Sequence, residues 1–119
     1  MITEQEISID GAVRAMEKRG IGAIVTFVGV VRAEAGLKGM AVELEDNAQA
    51  ELEQLKRDAF DKFDIEAVEV IHRHGLLEVG DIIVAILVGA KHRTAAFRAC
   101  EHLIDLLRIN EAIRLKELK

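Results

Sequence analysis

Two ten-residue stretches constrain this chain more than anything else in it: "GAIVTFVGVV", Gly22 to Val31, and "DIIVAILVGA", which ends at Ala90. Both are apolar at odd and even positions alike and rich in β-branched residues. Such side chains are stiff at χ1 and pack well on a pleated surface, so both stretches predict strands. A strand that is apolar on both faces has to be covered on both faces. With 3% aromatic residues and no Trp or Tyr, the cover must come from Val, Ile, Leu, Ala and the four Phe. A chain of 119 residues, half of them hydrophobic, can supply one core of ordinary size.

The rest of the chain alternates between the two periodicities. "EISID" places Ile7 and Ile9 on one face and predicts a short strand. Asp10 is expected to cap a helix with a stripe at Ala12, Val13, Ala15 and Met16, stopped by Gly20. "RAEAGLKGM" reads as a loop and "MAVELE" as a strand. Residues 47–63 put Ala48, Leu52, Leu55, Ala59, Phe60 and Phe63 near helical spacing. "IEAVEVIHRHG" alternates as a strand, and "GLLEVGD" reads as a turn-rich connector. Residues 91–107 predict a helix buried along Ala95, Ala96, Ala99, Cys100, Leu103, Ile104 and Leu107. The tail "NEAIRLKELK" fits either a strand, with Ile113 and Leu115 opposite Arg114 and Lys116, or a continued helix. The order β-α-β-β-α-β-β-α-tail defines an α+β chain: one domain, 1–119, of mixed or antiparallel sheet with flanking helices.

Charge narrows the function classes. The net charge of −5 argues against general nucleic-acid binding. Residues 1–90 hold 9 Lys/Arg against 17 Asp/Glu, while residues 91–119 hold 7 against 4. A basic last quarter on an acidic body points to a local site for an anion. The lone Cys100 excludes an internal disulfide framework and fits a reducing compartment. The N-terminus is polar and acidic, unlike a signal peptide, and no apolar run approaches the ~20 residues of a membrane span. A soluble cytoplasmic protein without membrane contact is expected. No metal site is expected either. His72 and His74 would share a strand face, but no carboxylate or thiol completes a ligand spacing with them and His92. Cys100 lies on a buried stripe, where a thiol is usually an inert small hydrophobe.

"VGAKHRTAAFRAC", Val88 to Cys100, carries the chemistry. An apolar run ends at Gly89, Lys91, His92 and Arg93 follow, and a helix then begins. Cations are disfavoured at the positive end of a helix dipole. Their presence there suits an anion held between them and the helix N-terminus. A solvated basic turn is the plainer alternative.

In order, "GAIVTFVGVVR", "VELE", "VEVIHRHGLLEVGD" and "VGAKHRTAAFRACEHLIDLL" resemble the large, catalytic subunit of molybdopterin synthase, the MoaE family. The resemblance runs from about Gly22 to Leu107 and implies an α/β-hammerhead-like fold and a sulfur transfer. In that family a small ubiquitin-like subunit of MoaD type carries a C-terminal thiocarboxylate, and its Gly-Gly tail threads into the large subunit. Two sulfurs are placed on cyclic pyranopterin monophosphate to form the dithiolene of molybdopterin. The large subunit pairs with itself, and a partner docks at each end, giving a heterotetramer built on a homodimer. No cofactor is implied. Arg32, His92 and Arg93 match the family's substrate-pocket positions, the His-Arg pair reaching the site from the neighbouring subunit. Guanidinium groups suit bidentate phosphate binding, and an imidazole can donate or carry a proton.

The family's catalytic segment follows the last helix, and the sequence departs from it there. "RINEAIRLKE" lacks the family's Pro and Trp. An ungapped reading sets Arg108 on the first family lysine, Leu115 on the second, Lys116 on the basic residue beside it and Glu117 on the glutamate. A shift of one residue sets Lys116 on the second lysine, and both registers stay open. Arg108 binds anions but does not lose a proton. Lys116 and Arg108 are therefore the catalytic candidates, and Glu117 joins Arg32, His92 and Arg93 as a substrate-binding candidate. Residues 108–119 form a divergent active-site tail. Family members commonly run further, and a shorter tail would open the pocket. The alternative reading is a binding or assembly module with the family fold and a decayed centre.

Overall fold

The computed structural model describes residues 1–17 and 20–119. In chain order its elements are β1 (Ile2–Thr3), α1 (Ile9–Ala15), β2 (Ala23–Val30), β3 (Gly39–Leu44), α2 (Ala48–Lys62), β4 (Ala67–Arg73), β5 (Gly75–Glu78), β6 (Ile82–Ala90), α3 (Arg93–Arg108) and β7 (Ile113–Leu118). The α+β expectation holds, with the strands divided between two sheets. One is four-stranded in the order β1-β4-β6-β2, antiparallel except for the β1–β4 pair. The other is three-stranded and antiparallel in the order β5-β3-β7.

β6 is buried on both sides, as its composition demands. Val84, Ile86, Val88 and Ala90 join a core with Leu52 and Ala59 of α2 and Ala96, Ala99, Cys100 and Leu103 of α3. The intervening Ala85 and Leu87 join a second core with Ile7 and Met16 under α1. A period of two thus splits one apolar run between two cores. β2 has the same composition and a different fate. It is an edge strand, and Val28 and Val30 remain 37% and 49% exposed. Composition cannot distinguish a central strand from an edge one, because the difference is set by which strands pair.

"EISID" is not a strand. Ser8 is the N-cap of α1, and its hydroxyl accepts from the Gly11 N–H at 3.1 Å. Asp10, expected to be the cap, lies inside the first turn and pairs with Arg14. A serine hydroxyl bonded to a free first-turn N–H outweighs the two-residue alternation of Ile7 and Ile9. The helix ends at Met16, and the approach to Gly20 runs through Lys18 and Arg19, outside the described residues. Ser8→Ala is expected to cost about 1 kcal/mol of unfolding free energy, read from urea denaturation.

"GLLEVGD" contains β5. Leu77 is buried at 3% while Leu76 stands 79% exposed, so a strand side hides in what reads as a connector. Four residues are too few for the alternation to show. The tail resolves as β7. α3 stops at Arg108, the Asn110 Oδ1 accepts from the Ala112 N–H at 2.9 Å, and the chain returns along β3. Phe60, placed on the α2 stripe by its spacing, is 45% exposed, whereas Phe63 packs edge-on against His102.

Among the described residues His72 is the one buried polar side chain, with its Nδ1–H donating to the Arg73 carbonyl at 2.9 Å. Burial holds its pKa below the ordinary histidine value, against a smaller raising effect of that hydrogen bond. The unfolded chain therefore binds a proton here at higher pH than the folded one. The contribution of His72 to stability is complete above about pH 6.5 and is lost as pH falls below it. A His72→Gln variant is expected to show a flatter loss of stability between about pH 6.5 and 5 than the parent, measured by denaturation across that range.

Candidate anion-binding site

The basic turn is built by the end of β6. Ala90 is fully buried, and the next four residues, Lys91 to Thr94, are exposed. His92 takes the extended N-cap conformation of α3, its imidazole makes no capping bond, and the first turn holds no acidic residue. Among the described residues no ion pair involves Lys91, His92 or Arg93. First-turn N–H groups and three basic side chains therefore face solvent together, an arrangement suited to an oxyanion.

Arg32 follows β2 at its other end. Val31 is buried and pinned on both sides, its N–H donating to Asp81 and its carbonyl accepting from Gly80. Arg32 itself is exposed, with Nε 2.9 Å from a Glu34 carboxylate oxygen. An exposed pair of this kind is worth at most about 1 kcal/mol, so an anion of higher charge can draw the guanidinium away. Arg108 closes α3 at the negative end of its dipole, where a cation is favoured, and it too is exposed.

Lys116 and Glu117 are on β7, opposite Ala41 and Met40 of β3. Alternation sends them to opposite faces. Lys116 shares its face with Ala41 and, one strand further, Leu76. Glu117 shares the other face with Leu115 and lies 3.7 Å from the Lys119 ammonium. The exposed Leu76 beside Lys116 has no signature in the sequence, since it depends on the pairing of β5 with β3.

These candidates fall into two groups. α3 turns back over β6 and β2 immediately after β6 ends. Its 16 residues separate Arg93 from Arg108 by about 24 Å. β2, 8 residues long, separates the Gly22 end from the Arg32 end by about 26 Å. Gly22 hydrogen-bonds to Ala90, beside His92, and Val30 pairs with Ile82 near the return of α3. The Lys38 N–H donates to Leu118, which brings the loop after Arg32 to the end of β7. Arg32, Arg108 and Lys116 thus belong to one end of the molecule, and His92 and Arg93 to the other. A single chain does not bring them to one ligand.

Among the described residues, the two most voluminous of the cavities lie elsewhere. One of about 570 Å³ opens between α1 and β4, lined by Ile7, Ser8, Ala12, Met16 and Ile71. A groove of about 810 Å³ runs between α2 and the end of α3, with Glu45, Glu51, Asp58, Ile109 and Arg114 on its walls. Neither includes a candidate residue. Cys100 is buried, its thiol directed at the Ile86 carbonyl, and burial raises its pKa. Among the described residues no cluster of His, Cys, Asp and Glu is arranged for a metal ion, and no helix is long and apolar enough to cross a membrane.

Fold and charge together define an α+β domain whose exposed cationic candidates are divided between two ends. The family described as "MoaE protein" matches residues 2–110, and the chain belongs to that family. It is 40% identical over 96 residues to a Brucella melitensis protein described as molybdopterin synthase catalytic subunit, a match covering 78% of this chain and 58% of that protein. A Rhizobium meliloti protein of the same description is 35% identical over 94% of this chain and 74% of its own length. Among solved structures, molybdopterin synthase from Staphylococcus aureus superposes with a TM-score of 0.91 at 28% identity, covering 98% of this chain and 88% of that one.

Proposed function

We propose that this protein is the large, catalytic subunit of a molybdopterin synthase. It accepts sulfur from the C-terminal thiocarboxylate of a small ubiquitin-like subunit and places it on cyclic pyranopterin monophosphate. The observation that carries the reading is the division of the cations. Substrate phosphate and thiocarboxylate are both anions, and bringing them together calls for cationic donors around both. Arg32, Arg108 and Lys116 at one end of a chain supply half of such a set, and His92 and Arg93 from a second copy supply the rest. That arrangement supports a homodimer carrying two small subunits.

Within the site, Arg32, His92 and Arg93 hold the phosphate. Arg108 and Lys116 flank the incoming tail. Arg108 stays charged throughout and serves as an electrostatic clamp, whereas the Lys116 amine is able to give or take a proton. Glu117, on the other face of β7 and beside Lys119, is assigned no contact with the tail. A lone buried cysteine suits work in a reducing cytoplasm. The test is reconstitution: the purified chain, a thiocarboxylated small subunit and cyclic pyranopterin monophosphate are mixed, and the dithiolene product is quantified. Product above the control without the large subunit supports the reading. Partner binding without product would replace it with an assembly module.

A further inference from the structure

We infer that Gly22 is a positioning residue for the His92–Arg93 donor pair, an inference that rests on the function proposed above. Gly22 precedes β2, and its N–H donates to the Ala90 carbonyl at 2.9 Å. A Cβ on Gly22 would lie 2.5 Å from the Lys91 carbonyl oxygen, well inside van der Waals contact. Its φ is not in the left-handed region, so the requirement is close approach and not backbone freedom. The obstacle is a backbone atom, which cannot turn aside as a side-chain tip does.

The location of that contact gives it a consequence. Lys91 immediately precedes the N-cap of α3. On one side of the turn, Ala90 is fixed in β6, with no exposed surface. On the other, α3 is held by Ala96, Ala99, Cys100 and Leu103 in the core. On this side of the contact, the exposed turn between them is the part free to yield. An added methyl therefore displaces the Lys91–His92 peptide and re-aims His92 and Arg93, while the body of the helix stays seated. Gly89 provides the comparison. Its Cβ would meet the Ile21 Cδ1 at 2.8 Å and the Met16 Sδ at 3.3 Å, the ends of flexible side chains in the opposite core. A methyl there strains packing next to the turn without pressing on the turn.

The experiment compares wild type, Gly22→Ala and Gly89→Ala. Thermal midpoints, sulfur-transfer kinetics and NMR resonances of the Lys91–Thr94 amides and the His92 imidazole are measured for each. Both variants are expected to melt earlier. Gly22→Ala alone should shift the resonances of residues 91–94 and lower kcat/KM for the pterin substrate by at least about tenfold, mainly through KM. Unchanged resonances at 91–94, or an equal loss of kcat/KM in both variants, would overturn the inference. If Gly22→Ala does not fold, Lys91→Gly loosens the same turn. It is expected to lose more kcat/KM than Lys91→Ala, and equal losses would count against positioning. A wild type without sulfur transfer would remove the proposed function, and the resonances alone would then decide the positioning.

Discussion

Lys116→Ala is expected to lower sulfur transfer by about 100-fold, the lower range of what a well-placed proton donor or acceptor supplies. Affinity for the small subunit should change by no more than about threefold, since a solvent-exposed charge contributes mostly to encounter. The expectation rests on geometry as well as chemistry. Lys116 is exposed on β7, among the described residues it has no ion-pair partner, and Arg108, the other catalytic candidate of the tail segment, cannot exchange a proton. Lys116→Arg separates the two roles open to the side chain. If the amine moves a proton, arginine rescues little. If it only holds charge, arginine restores most of the rate. Single-turnover sulfur transfer and calorimetric titration with the small subunit read the two effects. Equal loss of turnover and binding in Lys116→Ala would reassign the residue to docking.

The second large effect is complementation between two inactive variants. Arg93→Ala and Lys116→Ala disable opposite ends of the chain, separated by roughly the length of α3. If a site takes one end from each copy, a mixed dimer holds one site with both lesions and one with neither. Equal mixing with free exchange of subunits should restore roughly a quarter of wild-type activity from two preparations that are each nearly inactive, as two-fold symmetry requires. If one chain held the whole site, mixing would restore nothing. The same mixing with His92→Ala in place of Arg93→Ala should give the same recovery. Combining Arg108→Ala with Lys116→Ala should give none, because both lesions then fall on one end.

Legibility differs from element to element. The fates of β6 and α3 could be read along the chain, because a run apolar on both faces and a stripe at helical spacing are local facts. So could the basic turn between them and the candidate cations. Ser8 could have been found as a cap from its hydroxyl and its distance to Gly11, had the short alternation at Ile7 and Ile9 weighed less. The edge position of β2, the existence of β5 and the strand nature of the tail were not legible in this way. Each depends on a pairing partner distant in the chain: β6 for β2, β3 for β5 and for β7.

By itself, then, the sequence determined the class of fold, the basic residues that are candidates to hold an anion, and Lys116 as the lysine candidate of the tail segment. Those properties reside in side-chain chemistry and in periods of two and 3.6. Only the tertiary structure decided where the candidates stand. It sent Lys116 and Glu117 to opposite faces of a strand whose register is set by β3, separated His92 and Arg93 from Arg32, Arg108 and Lys116 by the length of a helix, and pressed Gly22 against the turn that aims the first pair. Distances between residues remote in sequence are fixed by packing, and no local pattern encodes them.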